Sequence, residues 1–211
     1  MPKVNKDFDR NVFINCPFDE DYVSLQRPLV FTILHLGYNP KIALQRLDSA
    51  ETRIEKIVEL IQSSRFGIHD LSRCIAEKAG EHYRLNMPLE LGIDYACRRM
   101  IRRLKGKKIL ILERTKHQIK PALSDLAGCD TEHHNAHPEV LIKVVRDWMV
   151  QECGAENQPA AVIYSNFLKF MAYTDAELSI KGWPRAHIDD IKLPELMGMM
   201  SDWLPTKPDW I

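Results

Sequence analysis

Hydrophobic positions along this chain fall into two patterns, short unbroken runs and longer stripes spaced three or four residues apart, and the two alternate. Asn11 to Asn15, closed by Cys16 and Pro17, is a brief apolar run of the kind that forms a strand buried on both faces. From Tyr22 to Leu36, the residues Leu25, Leu29, Ile33 and Leu36 recur at helical spacing, and Gly37 supplies the stop. Residues 41–45 read as a second strand, followed by a helix capped at Asp48 or Ser49 with Ile54, Ile57, Val58 and Ile61 in one stripe. Residues 65–70 make a third strand running into the polar His69, Asp70 and Ser72. The patternless stretch 73–85 is a long loop. Asn86 then caps a helix with Pro88 in its first turn. Leu89, Ile93, Ala96 and Met100 form the apolar face of this helix, and Arg98, Arg99, Arg102 and Arg103 sit at its negative end. Lys107 to Glu113 is a fourth buried strand.

Strands alternating with helices predict an α/β fold with a parallel, doubly wound sheet. The expected strands lie near 11–15, 41–45, 65–70 and 108–112 in the order 2-1-3-4, with a fifth between Gln118 and Asp130. Pro138 starts a helix that reaches Cys153. Beyond Pro159 the pattern is helical, in two segments, 158–179 and 193–204, separated by Gly182, Trp183 and Pro184. The organisation is thus an α/β domain over 1–155 and a helical C-terminal extension over 156–211. Phe167, Phe170, Met171, Met197, Met200 and Trp203 of the extension require burial against the main domain or a partner.

Composition narrows the functional classes. Lys plus Arg and Asp plus Glu both total 29, so no global positive field exists to hold a nucleic acid or an anionic membrane. No apolar run approaches the roughly 20 residues of a membrane span, and the charged opening MPKVNKDFDR does not resemble a secretion signal. Five cysteines without a CxxC pair read as reduced thiols, and together these features predict a cytosolic protein.

In open parallel sheets, ligands bind beyond the carboxyl ends of the strands. That rule selects Asn15, Cys16, Pro17, Phe18 and Asp19 after the first strand, Arg46 after the second, Asp70 and Ser72 after the third, and Asn86 with Glu90 at a helix start. Glu90 stands in the first turn of its helix, where the dipole favours a carboxylate, with Asp94 one turn later on the same face. A carboxylate so placed suits stabilisation of an oxocarbenium ion at a sugar C1. Cys129, His133, His134 and His137 have the residue types of zinc ligands, but their spacing fits no structural-zinc template and reads as a polar loop. A Gly-rich phosphate loop, a GxSxG elbow and an HExxH helix are all missing.

Taken in order, VFINCPFDEDY, SSRFGIHDLS and RLNMPLELGIDYA resemble the TIR-like and nucleoside 2-deoxyribosyltransferase-like superfamily over about residues 11–115. Arg84 to Pro88 stands where the deoxyribosyltransferases carry Asp-x-Gly-Thr, and the aromatic-Cys pair of TIR enzymes is missing. The closest form is the TIR-like group with Asn four residues before Glu. The resemblance implies a flavodoxin-like three-layer fold with Glu90 as the catalytic residue. It also implies N-glycosidic cleavage of NAD or a related nucleotide, as in NADases of antiviral defence, or nucleotide sensing without turnover. NAD or a nucleotide would be the substrate and no cofactor or metal is needed. The C-terminal helices would serve a homo-oligomer or a partner protein.

Overall fold

A strand that is apolar at every position needs cover on both faces, and the strands built from such runs are found at the centre of the sheet. In the computed structural model, which describes residues 7–74 and 84–206, β1 (Asn11–Asn15) and β3 (Phe66–Asp70) are buried along their whole length. Five parallel strands join in the order β2-β1-β3-β4-β5, with β2 at Asn39–Lys41, β4 at Lys108–Glu113 and β5 at Glu132–His133. The fold is the expected three-layer, flavodoxin-like α/β arrangement.

Two strands lie elsewhere than the apolar pattern suggested. The second is not 41–45: it ends at Lys41, and Ala43–Gln45 form a 3-10 turn in which the Gln45 side chain accepts the Ile42 N–H at 3.0 Å. The fifth falls outside 118–130, at Glu132–His133, because the preceding segment is taken up by turns. The buried Glu113 carboxylate pins that segment at both ends, accepting the Ile119 N–H at 2.7 Å and the Thr131 hydroxyl.

On one face lie α1 (Val23–His35) and α4 (Pro138–Trp148), the latter continued by a π-helical turn at Met149–Cys153. On the other lie α2 (Arg53–Gln62) and α3 (Asn86–Met100). Thr52, rather than Asp48 or Ser49, caps α2 by accepting the Glu55 N–H, while Asp48 accepts the Ala50 N–H in the turn before it. The loop expected over 73–85 lies largely outside the described residues, which resume at Arg84.

Residues beyond 159 form α5 (Ala160–Ile180), α6 (Arg185–Asp189) and α7 (Leu193–Trp203). They add a further layer over α1, in one apolar cluster continuous with the sheet core. Phe31 of α1 stacks on Phe170 and meets Phe167 edge-on, with Trp203 beside both Phe31 and Phe170. His35 and Asn166 add a buried hydrogen bond of 3.0 Å across the same seam. Among the described residues no helix is long and apolar enough to cross a membrane.

Candidate functional site

Strand order reverses between β1 and β3, and at this switch point the sheet ends in Asn15 and His69, paired in register. The Met87 carbonyl can only accept, so the Asn15 amide nitrogen faces it, at 2.9 Å, and the same nitrogen lies 3.0 Å from His69 Nδ1. Nδ1 is therefore the acceptor and Nε2 carries the proton, 3.0 Å from Asp94 Oδ2. The other Asp94 oxygen meets Lys107 Nζ at 3.0 Å, and Lys107 also donates to the Ile61 carbonyl at 2.8 Å. All four side chains are buried. Burial pushes the His69 pKa down, more than Asp94 pulls it up, and it lowers Lys107 likewise. Gly67 is required here, since a Cβ at that position would stand 2.5 Å from Asp94 Oδ2. The network fixes the start of α3 onto the strand ends and leaves Asn15 Oδ1 without a hydrogen-bond partner among the described residues.

Glu90 stands on the second turn of α3 rather than in its first, because the helix already begins at Asn86, which is its first residue and not its cap; Glu90 is also turned inward and is only 4% exposed. Arg53, from the first turn of α2, donates to its Oε1 at 3.3 Å. Desolvation raises the Glu90 pKa, opposed by Arg53 and by a hydrogen bond from Asn86. In front of this pair lies a cavity of about 250 Å³ lined by Pro17, Phe18, Asp19, Arg53, Arg84 and Asn86. The Arg53 guanidinium stands 6.0 Å from the Phe18 ring, and Arg84 is paired with Asp19. Arg53 and Arg84 were not selected from sequence, although a cation in the first turn of a helix, against the dipole, is a readable anomaly at Arg53.

Asp70 does not line that cavity. It is fully buried, where it accepts from the Tyr22 hydroxyl and from the Ser72 N–H at 2.8 Å and lies 3.1 Å from His134 Nε2. Burial by itself would raise the Asp70 pKa, but His134, Ser72 and Tyr22 outweigh it and hold the pKa below the usual value. The Ala136 N–H donates to His134 Nδ1 at 3.0 Å, which again places the ring proton on Nε2. Asn135 and Ala136 both adopt left-handed backbone, with φ of 50° and 58°, so this turn is held against its intrinsic preference. A second cavity of about 220 Å³ opens here, lined by Tyr22, Ser72, Arg73, Arg114, His134 and Ala136 among others.

The sequence-selected residues thus separate. Pro17, Phe18, Asp19 and Asn86 share the cavity before Glu90, and Ser72 lies at the second cavity with Asp70 beneath it. Asn15 and Asp94 belong to the buried network. Cys16 is buried, and desolvation, with Asp70 and Glu90 nearby, pushes its thiol pKa up and disfavours the thiolate. Arg46 is held by Glu51 and by Glu59, the latter at 2.5 Å, and lines neither cavity. Among the described residues no group of three or more His, Cys, Asp or Glu side chains is arranged to hold a metal ion. Cys129 borders an apolar cleft elsewhere, while His134 serves Asp70. No protein-family model matches the chain, and no curated protein or solved structure matches it either.

Proposed function

We propose that the chain is an N-glycosidase acting on NAD or a related nucleotide, with Glu90 as the catalytic residue. The observation that carries this reading is a desolvated carboxylate on the second turn of α3, behind a nucleoside-scale cavity at the carboxyl edge of a parallel sheet. In the reaction the C1–N bond breaks and its electron pair leaves with the base, a water oxygen bonds to C1, and that water's proton passes to solvent or, from a nucleoside, to the departing base. Glu90 stabilises the positive charge that develops on the ribose between those events. Phe18 offers a face for the base, and Arg84 and Asn86 offer donors to ribose oxygens. The second cavity, with Arg73 and Arg114 on its walls, suits the phosphates.

Incubation with NAD, nucleosides and nucleotides, followed by chromatography, should detect a released base. Glu90→Gln should reduce its release by about a hundredfold or more, the scale for loss of one preorganised electrostatic group, while ligand binding persists. Turnover of Glu90→Gln at the wild-type rate would exclude the role.

A second reading, nucleotide sensing without turnover, is favoured by one observation: Glu90 is covered by Arg53 and Asn86 rather than open to the cavity. It predicts nucleotide binding that weakens in Arg53→Ala, with no base released by any form.

A further inference from the structure

Helix α3 has apolar residues on both sides. The face turned toward the sheet carries Met87 and Leu91 beside Glu90 and Asp94, whereas the outward side carries Leu89 and Met100, exposed to 59% and 83%, with Leu85 just before the helix exposed to 67%. Tyr95, beside this stripe, is 51% exposed. Single exposed apolar residues are ordinary, but a stripe along one helix marks a surface that another molecule covers.

Next to this stripe the sheet lacks a covering helix. The other connections between successive strands carry α1, α2 or α3, but residues 114–131, between β4 and β5, contribute only the short turn Ser124–Leu126. The result is a trough of about 490 Å³ with Ile109 and Ile111 of β4 as its floor, Leu91 and Tyr95 as one wall, and Leu123 and Leu126 as the other. Arg98, Asp125 and Asp130 also line it, and none of the three makes an ion pair within the described residues. Gly92, near the middle of α3, also faces the trough, and a Cβ there would meet nothing within 4 Å.

From these features we infer that the chain forms a two-fold homodimer in which the α3 stripe of each copy lies in the trough of the other. The surface is self-complementary, because each copy presents both an apolar ridge and an apolar trough, and both Arg98 and its acidic counterparts. Two antiparallel α3 helices cross at Gly92, where no side chain holds the backbones apart. The four exposed apolar side chains contribute on the order of 400 Å² per copy, about half of the roughly 800 Å² per partner of a standard interface, so the dimer is of micromolar rather than nanomolar strength. With 29 charges of each sign, two copies meet without net repulsion. The inference is independent of turnover at Glu90.

Sedimentation velocity and native mass spectrometry of the full chain, from low to high micromolar, should show a two-chain particle. Gly92→Arg should be monomeric yet keep the wild-type circular dichroism spectrum and a cooperative melt that no longer depends on protein concentration, because replacing a helical glycine whose Cβ has open space does not disturb the protomer. Leu89→Glu should also be monomeric. Arg98→Asp and the double variant Asp125→Arg/Asp130→Arg should each weaken the dimer at least tenfold, and their combination should recover it. A wild-type protein that is monomeric throughout, bare or carrying a small molecule or a foreign protein, overturns the inference. A Gly92→Arg protein that remains dimeric does so too.

Discussion

Substituting Gly67 with alanine tests the buried network by its sign as well as its size. Glycine inside a strand costs stability relative to alanine by about 0.5–1 kcal/mol, so in an uncrowded strand the substitution would stabilise. Here the added methyl would sit 2.5 Å from Asp94 Oδ2 and 3.3 Å from His69 Nε2, closer to the carboxylate than atoms can approach. Asp94 is held from two sides at 3.0 Å, so moving it breaks its contact with His69, with Lys107, or with both, inside a site that water does not reach. Loss of one member of a buried ionic set costs about 3–5 kcal/mol, because the remaining charge stays desolvated. For a chain of this size that is a fall in melting temperature of about 6–20 °C. Urea unfolding followed by circular dichroism measures it, with an unchanged denaturant slope as the check that the same transition is observed. Asp94→Asn should be similarly costly, since Lys107 is then buried without its counter-ion. Asp94→Asn with Lys107→Met should be less destabilised than Asp94→Asn alone, because the amide still accepts from His69 and no charge remains. A Gly67→Ala protein as stable as wild type, or more stable, would refute the reasoning.

The pH dependence of stability follows from the direction of each shift. His69 and Asp70 have folded-state pKa values below their ordinary 6.5 and 3.8, so each contributes stability that is present above that value and lost as pH falls toward the folded one. The melting temperature should therefore decline in two stages on acidification, first below about pH 6.5, and His69→Gln should flatten that first stage. Glu90 is shifted the other way, so its ionisation opposes folding at neutral pH, and Glu90→Gln should melt no lower than wild type at pH 7 in differential scanning calorimetry. Phe170→Ala should cost about 3–5 kcal/mol in urea unfolding, because the ring is fully buried between Phe31 and Trp203, and a loss below 1 kcal/mol would place the seam elsewhere. Ala136→Gly should stabilise by about 1 kcal/mol by relieving a left-handed alanine, as judged by its urea midpoint.

What the sequence made legible was set by burial. Val12, Phe13 and Ile14, and likewise Leu110 to Leu112, are buried on both sides of the sheet, and an unbroken apolar run reports that directly. Edge strands carry no such mark. β2 is Asn39-Pro40-Lys41 and β5 is only Glu132-His133, while the apolar Ile42 and Ala43 are buried in a turn and drew the expected strand toward themselves. Periodicity also reports only that a helix has an apolar face, not which way the face points, so the stripe of α3 was read as core although Leu89 and Met100 face outward. The site was legible where it depends on strand ends, as for Phe18, Asn86 and Glu90. It was not legible where partners lie far apart in sequence: His69 and Asp94 are joined by topology alone, as are Asp70 and His134.

The added layer of α5 and α7 bears on how the chain acquires its fold during synthesis. Val30, Phe31 and Ile33 of α1 are fully buried, in a cluster that also contains Phe167, Phe170, Leu196 and Met200. Arg27 reaches the carbonyls of Asp189 and Ile191 across more than 160 positions. A nascent chain that has emerged only as far as α4 therefore holds all five strands of the described residues but exposes the flank of α1, and closure of such remote contacts is slow. Until α5 and α7 have left the ribosome, that flank is bare apolar surface, adhesive to whatever else in its surroundings exposes the same.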